Sequence, residues 1–367
     1  MSGPAAGRLS LDFPTTSSRL SSARRREIAR VLVDSLSEGF PAGASLSVVD
    51  RSGVLLRAWG GLATRVPHDE AIEADTLYDL ASLTKVVVTT TLALWLEQEG
   101  RWRLSDRVSR WLEDFEPVEL TLRQLLTHTS GIIAHRPFFE LGRRPAAIRR
   151  AVFTEARKAR PDGTVLYSDL NFMLAGWALE TCAGEPLDQL FARVVSEPLG
   201  MKDTRFRPGT RLRPRCAATE LDGDQRLVPG LVRGEVHDGN AWALGGVAGH
   251  AGLFSTADDL SLFVGELLDP RRHHVLTPTT LRRMTRPQAG AQPDLRATAW
   301  RLEPQGWGPW PAGTIWHTGF TGTSLLVSPG ADLAVVLLAN AIHPTRELDR
   351  QAHYRARVHR VLSKVIS

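Results

Sequence analysis

Apolar residues recur every three or four positions in several segments of the chain, and this spacing predicts amphipathic helices. The first such segment runs from Ala23 to Leu36 within an arginine- and glutamate-rich stretch. The segment from Val86 to Gln98 is apolar on nearly all sides, which is typical of a helix buried in the interior. Further helical patterns cover residues 104–112, 120–126, 171–182, 187–195 and 257–267, and one begins at about residue 347.

Candidate strands lie near both ends of the chain. Near the start, two β-rich runs flank a polar turn, which predicts a β-hairpin, and near the end three such runs resemble a meander. These runs are residues 44–49, 54–59, 314–317, 324–328 and 333–338.

This arrangement predicts an α+β fold in which one antiparallel sheet is assembled from both ends of the chain. A single domain would cover residues 22–367, with the sheet part at about 22–81 and 245–367 and a mostly helical part at about 82–244. Residues 1–21 are rich in serine, proline and glycine and are expected to form a disordered lead-in.

Composition narrows the class of protein. The chain has 367 residues, of which 43% are hydrophobic and 23% charged, as in ordinary globular proteins. Its excess of five positive charges is scattered, so no nucleic-acid partner is expected. No apolar run is long enough for a membrane span or a signal peptide. We therefore expect a cytoplasmic location by default, or a periplasmic or exported one if the start codon is misassigned.

The chain has two cysteines, too few for a disulfide scaffold or a zinc cluster. Cys182 lies in an apolar helical pattern and is expected to be a small core residue, and a single bridge to Cys216 stays open. Three histidines (His237, His250 and His317) lack the close spacing of zinc ligands, so no metal is expected.

Candidate chemistry begins at Ser82 and Lys85, which lie three residues apart before the apolar helix. At the start of a helix the two side chains would point to the same face. A lysine that has lost its proton could then accept the proton of the serine hydroxyl and leave a nucleophile. Four letters of this kind match many chains by chance, so other parts of a site must accompany them.

Two later motifs supply such parts. Tyr167 could hold the serine hydroxyl and pass its proton to the leaving group, although a core tyrosine would give the same pattern. His317-Thr318-Gly319 ends a predicted strand, where glycine lets backbone come close to a substrate, although His317 alone could equally be a strand histidine with no chemical role. The backbone N–H groups of Ser82 and Phe320 would then bind a developing oxyanion.

Two other stretches have structural explanations. His128 lies in a polar turn, where a histidine more often satisfies backbone groups than takes part in catalysis. The glycine-dense run from Trp242 to Phe254 lacks the ending of a phosphate-binding loop, so its small residues are expected to let backbone approach a ligand or another element closely.

In their order, Ser82-Leu83-Thr84-Lys85, Tyr167-Ser168-Asp169 and His317-Thr318-Gly319 resemble the motifs of the serine β-lactamase-related family. That family includes class C β-lactamases, D-Ala-D-Ala carboxypeptidases and esterases. The stretches 125–131 and 249–256 extend the resemblance, which spans about residues 44–344.

Within the family, the run from Arg233 to Asp238 looks most like the penicillin-binding-protein-4B-like carboxypeptidases. The resemblance implies a β-lactamase/transpeptidase-like fold with terminal helices flanking the sheet, and a site where the sheet meets the helical part. It also implies a cofactor-free cycle in which Ser82 is acylated and water then releases the product. The substrate would be a small molecule or a peptide, and the oligomeric state is left open.

The resemblance assigns roles to eight residues. The catalytic ones would be Ser82, Lys85 and Tyr167. The substrate-binding ones would be Asp169, His317, Thr318, Gly319 and Phe320.

Two positions depart from the family's usual pattern. Asp169 stands where asparagine is common, and a carboxylate there would raise the pKa of Lys85 and shift proton transfer towards Tyr167. His317 stands where lysine is common, and would offer a weaker, pH-dependent charge to a substrate carboxylate.

Three functions follow as hypotheses. The first is a hydrolase of a D-amino-acid peptide or β-lactam-like substrate, and the second is an esterase for small acyl esters. The third is a non-catalytic sensor that binds peptidoglycan fragments or β-lactams in the same cleft.

Overall fold

A computed structural model describes residues 9–12, 21–115, 119–223, 229–269 and 271–364. The strands are β1 (Ser10–Asp12), β2 (Gly43–Asp50), β3 (Gly53–Thr64), β4 (Glu70–Ala71), β5 (Tyr78–Asp79), β6 (Arg205–Phe206), β7 (Leu253–Ser255), β8 (Arg301–Leu302), β9 (Ile315–Thr318), β10 (Ser324–Ser328) and β11 (Leu333–Ala339).

The α-helices are α1 (Ser22–Ser37), α2 (Thr91–Gln98), α3 (Leu122–Leu126), α4 (Pro145–Ala156), α5 (Asp169–Ala183), α6 (Leu187–Phe191), α7 (Glu197–Leu199), α8 (Gly209–Leu212), α9 (Gly239–Ala243), α10 (Ala257–Leu268), α11 (Pro278–Met284) and α12 (Leu348–Ser363). Short 3-10 helices lie at Val108–Arg110, Phe138–Leu141 and Arg213–Arg215, and π-helical turns lie at Lys85–Thr90 and Ala192–Ser196.

The main sheet joins the two ends of the chain, as the sequence predicts. Its order is β1-β3-β2-β11-β10-β9-β8, with β4 paired to β3, and its neighbouring strands are antiparallel. The hairpin β2-β3 and the meander β9-β10-β11 are both confirmed, and they meet where β2 pairs with β11. A small second sheet, β5-β7-β6, lies where the chain enters the candidate site.

Both faces of the main sheet are covered, which explains its runs of buried residues. Along β11, Val335 and Leu337 pack with α1 and α12, while the alternate residues Val336 and Leu338 belong to the core shared with α10 and the helical region. Side chains alternate across a strand, so each strand contributes to two separate cores. The fold is thus the α+β architecture that the sequence predicts, with terminal helices on one face.

Most predicted helices are present with slightly different ends. The helix predicted over 120–126 begins with a cap at Thr121, whose hydroxyl accepts from the N–H of Gln124 while the Gln124 side chain accepts from the N–H of Thr121. The predicted helix at 104–112 is wrong apart from the turn Val108–Arg110. There the N–H of Val108 donates to Leu120 O instead of to its own helix.

The buried helix after Lys85 begins with a π-helical turn that the sequence does not predict. The hydroxyls of Thr90 and Thr91 donate to the carbonyls of Lys85 and Val86, five residues back. A wider turn accommodates the β-branched run that fits an α-helix poorly. The wide turn therefore lies directly beneath the candidate nucleophile.

Parts of the predicted lead-in can be compared with the structure. Residues 10–12 form β1, which pairs with β3, so the expectation of disorder is wrong for these three residues. Residues 1–8 and 13–20 lie outside the described residues, and the boundaries of the two subdomains stay a prediction. Cys182 and Cys216 are both buried free thiols, which closes the question of a bridge. Across the described ranges, no helix is both long and apolar enough to cross a bilayer.

Candidate active site

Ser82 lies at a sharp entry into the buried helix. Asp79, which is buried in β5, accepts the N–H of Ala81 at 2.9 Å, and Ala81 has a positive φ of 47°. The serine that follows is half-buried, and Lys85 is fully buried. Its Nζ lies 2.9 Å from Ser82 Oγ, so the three-residue spacing does bring the two side chains together.

Lys85 is held by three oxygen atoms. Besides Ser82 Oγ, its Nζ contacts Asp169 Oδ1 at 2.8 Å and the carbonyl of His250 at 3.0 Å. Burial lowers the pKa of Lys85, but the negative charge of Asp169 and the interaction with Tyr167 outweigh it and raise that pKa above its ordinary value. Lys85 is therefore an ammonium at neutral pH, and it donates to Ser82.

Asp169 is the first residue of α5, and it connects Lys85 to a histidine that the sequence analysis missed. Its second oxygen lies 3.4 Å from His135 Nδ1, and its backbone N–H donates to Ala134 O at 2.9 Å. Burial raises the pKa of Asp169, but Lys85 and His135 outweigh it and hold the pKa far below its usual range. The same hydrogen bond raises the pKa of His135. No motif marks His135, because the run around it has no clear period.

Tyr167 lies between two histidine rings. Its ring centroid is 4.6 Å from that of His128 and 6.1 Å from that of His317, and Lys85 Nζ is 5.1 Å from it. The Nδ1 of buried His128 accepts the N–H of Ser168 at 3.0 Å. His128 thus supports the backbone beside Tyr167, which is the structural role that the sequence analysis favours.

His317 does not have the charge that the sequence analysis gives it. The side chain is buried, and its Nδ1 donates to Thr318 O at 2.9 Å. Burial, together with the nearby cations Arg296 and Lys85, lowers its pKa well below the ordinary value. His317 is therefore neutral at physiological pH, and the expected pH-dependent grip on a substrate carboxylate is wrong.

The turn after β9 approaches the entry to the helix very closely. A Cβ built on Gly319 would lie 2.4 Å from Leu80 O and 2.1 Å from Thr323 Oγ1, so only glycine fits. The hydroxyl of Thr321 donates to Asp79 O at 2.7 Å. These contacts join the turn to the two residues before Ala81.

A second close approach brings a carbonyl to Lys85. A Cβ on Gly249 would lie 2.1 Å from Phe172 O, so the glycine-dense loop packs directly on α5. The next residue is His250, whose carbonyl accepts from Lys85, and its Nε2 lies 2.9 Å from Asp238 Oδ1. The expectation that small residues allow close backbone packing is confirmed here.

The backbone N–H groups of Ser82 and Phe320 donate to no acceptor among the residues that the structure describes. Both residues line one cavity of about 300 Å³. Of the eight predicted site residues, Ser82, Tyr167, Asp169 and Phe320 line it. Lys85, His317, Thr318 and Gly319 are not in the lining.

One wall of the cavity comes from residues that the sequence analysis did not assign to the site. The Phe320 ring stacks on His237 at 5.7 Å, and the Arg346 guanidinium lies 5.3 Å from its centroid. The Glu220 carboxylate contacts both of these side chains, with 2.8 Å between Oε2 and His237 Nε2 and 2.7 Å between Oε1 and Arg346 Nε. Glu220 lies in a stretch without a helical or strand period and Arg346 in the unassigned run before α12, so no periodicity could have indicated them. His237 belongs to the run from Arg233 to Asp238, which supports the family resemblance but gives that histidine no role in the site.

Within the described ranges, no group of three or more histidine, cysteine, aspartate or glutamate side chains could hold a metal ion. A serine and a buried lysine in contact, beside a cavity lined by two residues whose N–H groups have no acceptor in the described part of the chain, define the class of serine hydrolases with a serine–lysine centre. Residues 32–360 match the family described as Beta-lactamase, and the chain belongs to that family. It is accordingly a serine hydrolase.

Named relatives agree with this membership. A Salmonella agona protein named "Putative D-alanyl-D-alanine carboxypeptidase" is 28% identical, over 84% of this chain and 80% of that protein. The structure of EstCE1, described as a hydrolase with promiscuous acyltransferase activity, covers 94% of this chain and 100% of its own, with a TM-score of 0.77 and 23% identity. A class C β-lactamase from Rhodobacter sphaeroides covers 93% and 99%, with a TM-score of 0.71 and 20% identity. The two structures show the shared fold.

Proposed function

We propose that this serine hydrolase forms an acyl-enzyme on Ser82 and that its substrate is a D-amino-acid peptide of the D-Ala-D-Ala type. The observation that carries the proposal is the 2.9 Å contact between Ser82 Oγ and Lys85 Nζ at the edge of the cavity. The name of the Salmonella agona relative supports the substrate class.

In the proposed cycle, Ser82 Oγ forms a bond with the substrate carbonyl carbon, and the bond from that carbon to the leaving nitrogen or oxygen breaks. Because Asp169 keeps Lys85 charged, we assign the transfer of the serine proton to Tyr167, which delivers it to the leaving group. Water then forms a bond to the acyl carbon, and the bond from that carbon to Ser82 Oγ breaks. The proton that water loses returns to Ser82 Oγ through Tyr167. Lys85 holds the serine oxygen throughout.

Negative charge develops on the carbonyl oxygen in both steps. The N–H groups of Ser82 and Phe320 are the proposed donors, since neither is used elsewhere in the described part of the chain. The Lys85 ammonium adds a positive charge beside the same atoms. These groups have their orientation before the substrate binds, so little free energy is needed to reorient them during the reaction.

Arg346 is the group that we propose for the substrate carboxylate in place of His317. Its guanidinium lies on the cavity wall, with 24% of the side chain exposed, while Glu220 fixes its orientation. Arginine keeps its charge over the whole working pH range and can bind a carboxylate with two hydrogen bonds. A peptide with a free C-terminal carboxylate would use this wall.

A carboxylesterase for small acyl esters is the second candidate. A small ester has no carboxylate that the enzyme must bind, so the neutral state of His317 is compatible with such a substrate. The aromatic ring of Phe320, which lines the same cavity as Ser82, also favours an uncharged ester. EstCE1, which is described as a hydrolase with promiscuous acyltransferase activity, shares the fold.

The nucleophile is tested by covalent labelling. Wild type, Ser82→Ala and the control Ser37→Ala, at an exposed helix end, are treated with a fluorescent penicillin and a fluorophosphonate and weighed intact. We expect one adduct on wild type and on the control, and none on Ser82→Ala. The proposal is contradicted if neither reagent forms an adduct on wild type, or if an adduct still forms on Ser82→Ala. Slow acylation without turnover would favour a sensor.

The substrate class is tested with Arg346→Met. Turnover of D-Ala-D-Ala peptides should fall about tenfold or more, as expected when a charge-assisted contact is lost, while turnover of p-nitrophenyl acetate should change little. An equal loss of turnover on the peptide and on the ester would show that Arg346 does not bind the substrate carboxylate. Brisk ester turnover without any peptide turnover would make the esterase the better candidate.

A further inference from the structure

We propose that Arg355, on α12, is a positioning residue that turns the peptide plane between Gly319 and Phe320 so that the Phe320 N–H faces the substrate. The inference rests on the proposed oxyanion role of that N–H. It adds a helix at the far end of the chain to the machinery of Ser82.

Arg355 is a buried cation in an unusual setting. Its side chain lies beneath the turn after β9, and its Nη2 donates to the carbonyl of Gly319. Within the described ranges, no carboxylate forms an ion pair with it, and its Nε has no acceptor. Burial lowers its pKa to about 10, so the group is still charged at neutral pH. Burying a charge without a counter-ion is costly, and here the charge is directed at one backbone carbonyl.

Because the peptide group is planar, the contact between Arg355 and the Gly319 carbonyl also fixes the direction of the Phe320 N–H. The Gly319–Phe320 bond is trans, so the carbonyl of Gly319 and the N–H of Phe320 point in opposite directions within one plane. Arg355 holds the carbonyl from the α12 side, and the N–H of Gly322, within the turn, donates to the same oxygen at 3.2 Å. The N–H is therefore directed away from α12, and Phe320 lies on the wall of the cavity that also contains Ser82.

The charge of Arg355 also strengthens the donor. A hydrogen bond from a cation is stronger than a neutral one, and it polarises the peptide group that accepts it. A polarised peptide has a more positive N–H, which binds a developing oxyanion better. A neutral donor at the same place would orient the plane without this second effect.

A second residue of α12 fixes the next carbonyl. Gln351 lies four residues before Arg355, on the same helix face, and its Nε2 donates to Phe320 O at 2.7 Å. From the opposite side, the N–H of Gly319 donates to Thr323 O at 2.8 Å. The turn is thus held at successive peptide groups, and the Phe320 N–H is left for the substrate.

The test uses the full-length protein and three variants of α12. Arg355→Met removes the charge while keeping the length of the side chain, and Arg355→Lys keeps the charge. Arg357→Met is the matched control, since Arg357 lies on the same helix but pairs with Asp34 and Glu38. Each is assayed for the rate constant of fluorophosphonate labelling, for kcat and KM on p-nitrophenyl acetate, and for the melting temperature.

For Arg355→Met we expect labelling and kcat to fall about 10- to 100-fold with KM within about twofold of wild type, because the lost interaction acts in the transition state. Arg355→Lys should recover part of the loss, and Arg357→Met should match wild type. If Arg355→Met is not recovered folded, Gln351→Leu takes its place with the same readouts. Wild-type labelling and kcat in a folded variant would overturn the inference.

A spectroscopic readout separates orientation from a merely structural role. The infrared band of the ¹³C-labelled acyl carbonyl on Ser82 reports the hydrogen bonds that its oxygen accepts. In Arg355→Met this band should move to higher wavenumber, and in Arg357→Met it should stay. An unmoved band would overturn the inference even if activity fell. If wild type forms no adduct on Ser82, it is the proposed function that fails.

Discussion

The two sides of the active site depend on different interactions. On one side, Lys85, Asp169 and His135 form a chain of charges in which each group sets the pKa of its neighbour. On the other side, His317 is neutral, and the turn at Gly319 and Phe320 presents backbone.

The difference shows which changes each side tolerates. The charged side depends on matched charges, so it should respond to pH and to the loss of one partner. The backbone side depends on the direction of a peptide plane, so it should respond to added atoms and to the loss of anchors. Four experiments can break or sharpen this contrast.

Lys85→Met should have the largest effect. It removes the ammonium beside Ser82 and should reduce kcat/KM on p-nitrophenyl acetate by about 10³-fold or more. It also leaves the Asp169 carboxylate without its main partner, which should lower the free energy of unfolding by about 3 kcal/mol. The double variant Lys85→Met/Asp169→Asn is the control: stability should return and activity should not. Recovery of activity in the double variant would contradict the role of Lys85.

Gly319→Ala should come next, since it disturbs the backbone side without touching a charge. The added Cβ collides with Leu80 O, so we expect kcat to fall about 100-fold and stability to fall by about 1–3 kcal/mol. Gly265→Ala on α10 is the control, because the nearest atom there is the movable end of Arg272. Wild-type kcat in Gly319→Ala would show that the turn is not a rigid part of the site.

Asp169→Asn should change the pH profile more than the rate at pH 7. The carboxylate raises the pKa of Lys85, so removing it lowers that pKa, and the ammonium is lost at lower pH. If the charged lysine supports catalysis, kcat/KM falls at alkaline pH as the lysine loses its proton, and in Asp169→Asn this fall should begin at lower pH. At a fixed pH within the fall, kcat/KM of the variant should be about tenfold lower for each unit by which the pKa of Lys85 drops. A rising limb that moves to lower pH would instead identify neutral Lys85 as the base.

The last experiment concerns the stability of the fold in mild acid rather than the reaction rate. Burial lowers the pKa of His343 to about 4, although its Nδ1–H donates to Thr219 O. Its Nε2 accepts the N–H of Arg65, which a protonated ring could not do. Between pH 6.5 and 4 the unfolded chain binds the extra proton, so stability falls as pH falls, by roughly 3 kcal/mol at most for this group.

Urea unfolding between pH 7.5 and 4.5 measures this effect. His343→Gln removes this neutral histidine, so the free energy of unfolding of the variant should depend less steeply on pH. His135, whose pKa is raised, acts in the opposite direction on the charged side of the cavity. Stability that increased towards pH 4.5 would contradict the assignment of His343 as neutral.

The sequence predicts the parts of the site that follow a spacing rule. Ser82 and Lys85 meet because three residues separate them at the start of a helix, and the influence of Asp169 on Lys85 follows from charge alone. The sheet was predictable as well, because alternation and turn residues mark β2, β3, β10 and β11.

Burial and long-range contacts were not predictable in this way. The charge expected at His317 is wrong because a strand position does not reveal that the ring is enclosed among cations. Glu220 and Arg346 come together from segments without a period. Arg355 reads as one arginine among several on an amphipathic helix, and only the fold shows that it points inward.

The pairing of β2 with β11 also sets the time at which the enzyme can become active during its synthesis. The N–H of Gly43 donates to Asn340 Oδ1 at 2.8 Å, across 297 positions of the chain. The ribosome must therefore release the chain beyond residue 340 before the central strands can pair, and Arg355 emerges later still. Until then the first hairpin has one unpaired edge, open to wrong partners. A nascent chain stalled before residue 340 should carry Ser82 and Lys85 yet remain unreactive towards the fluorophosphonate.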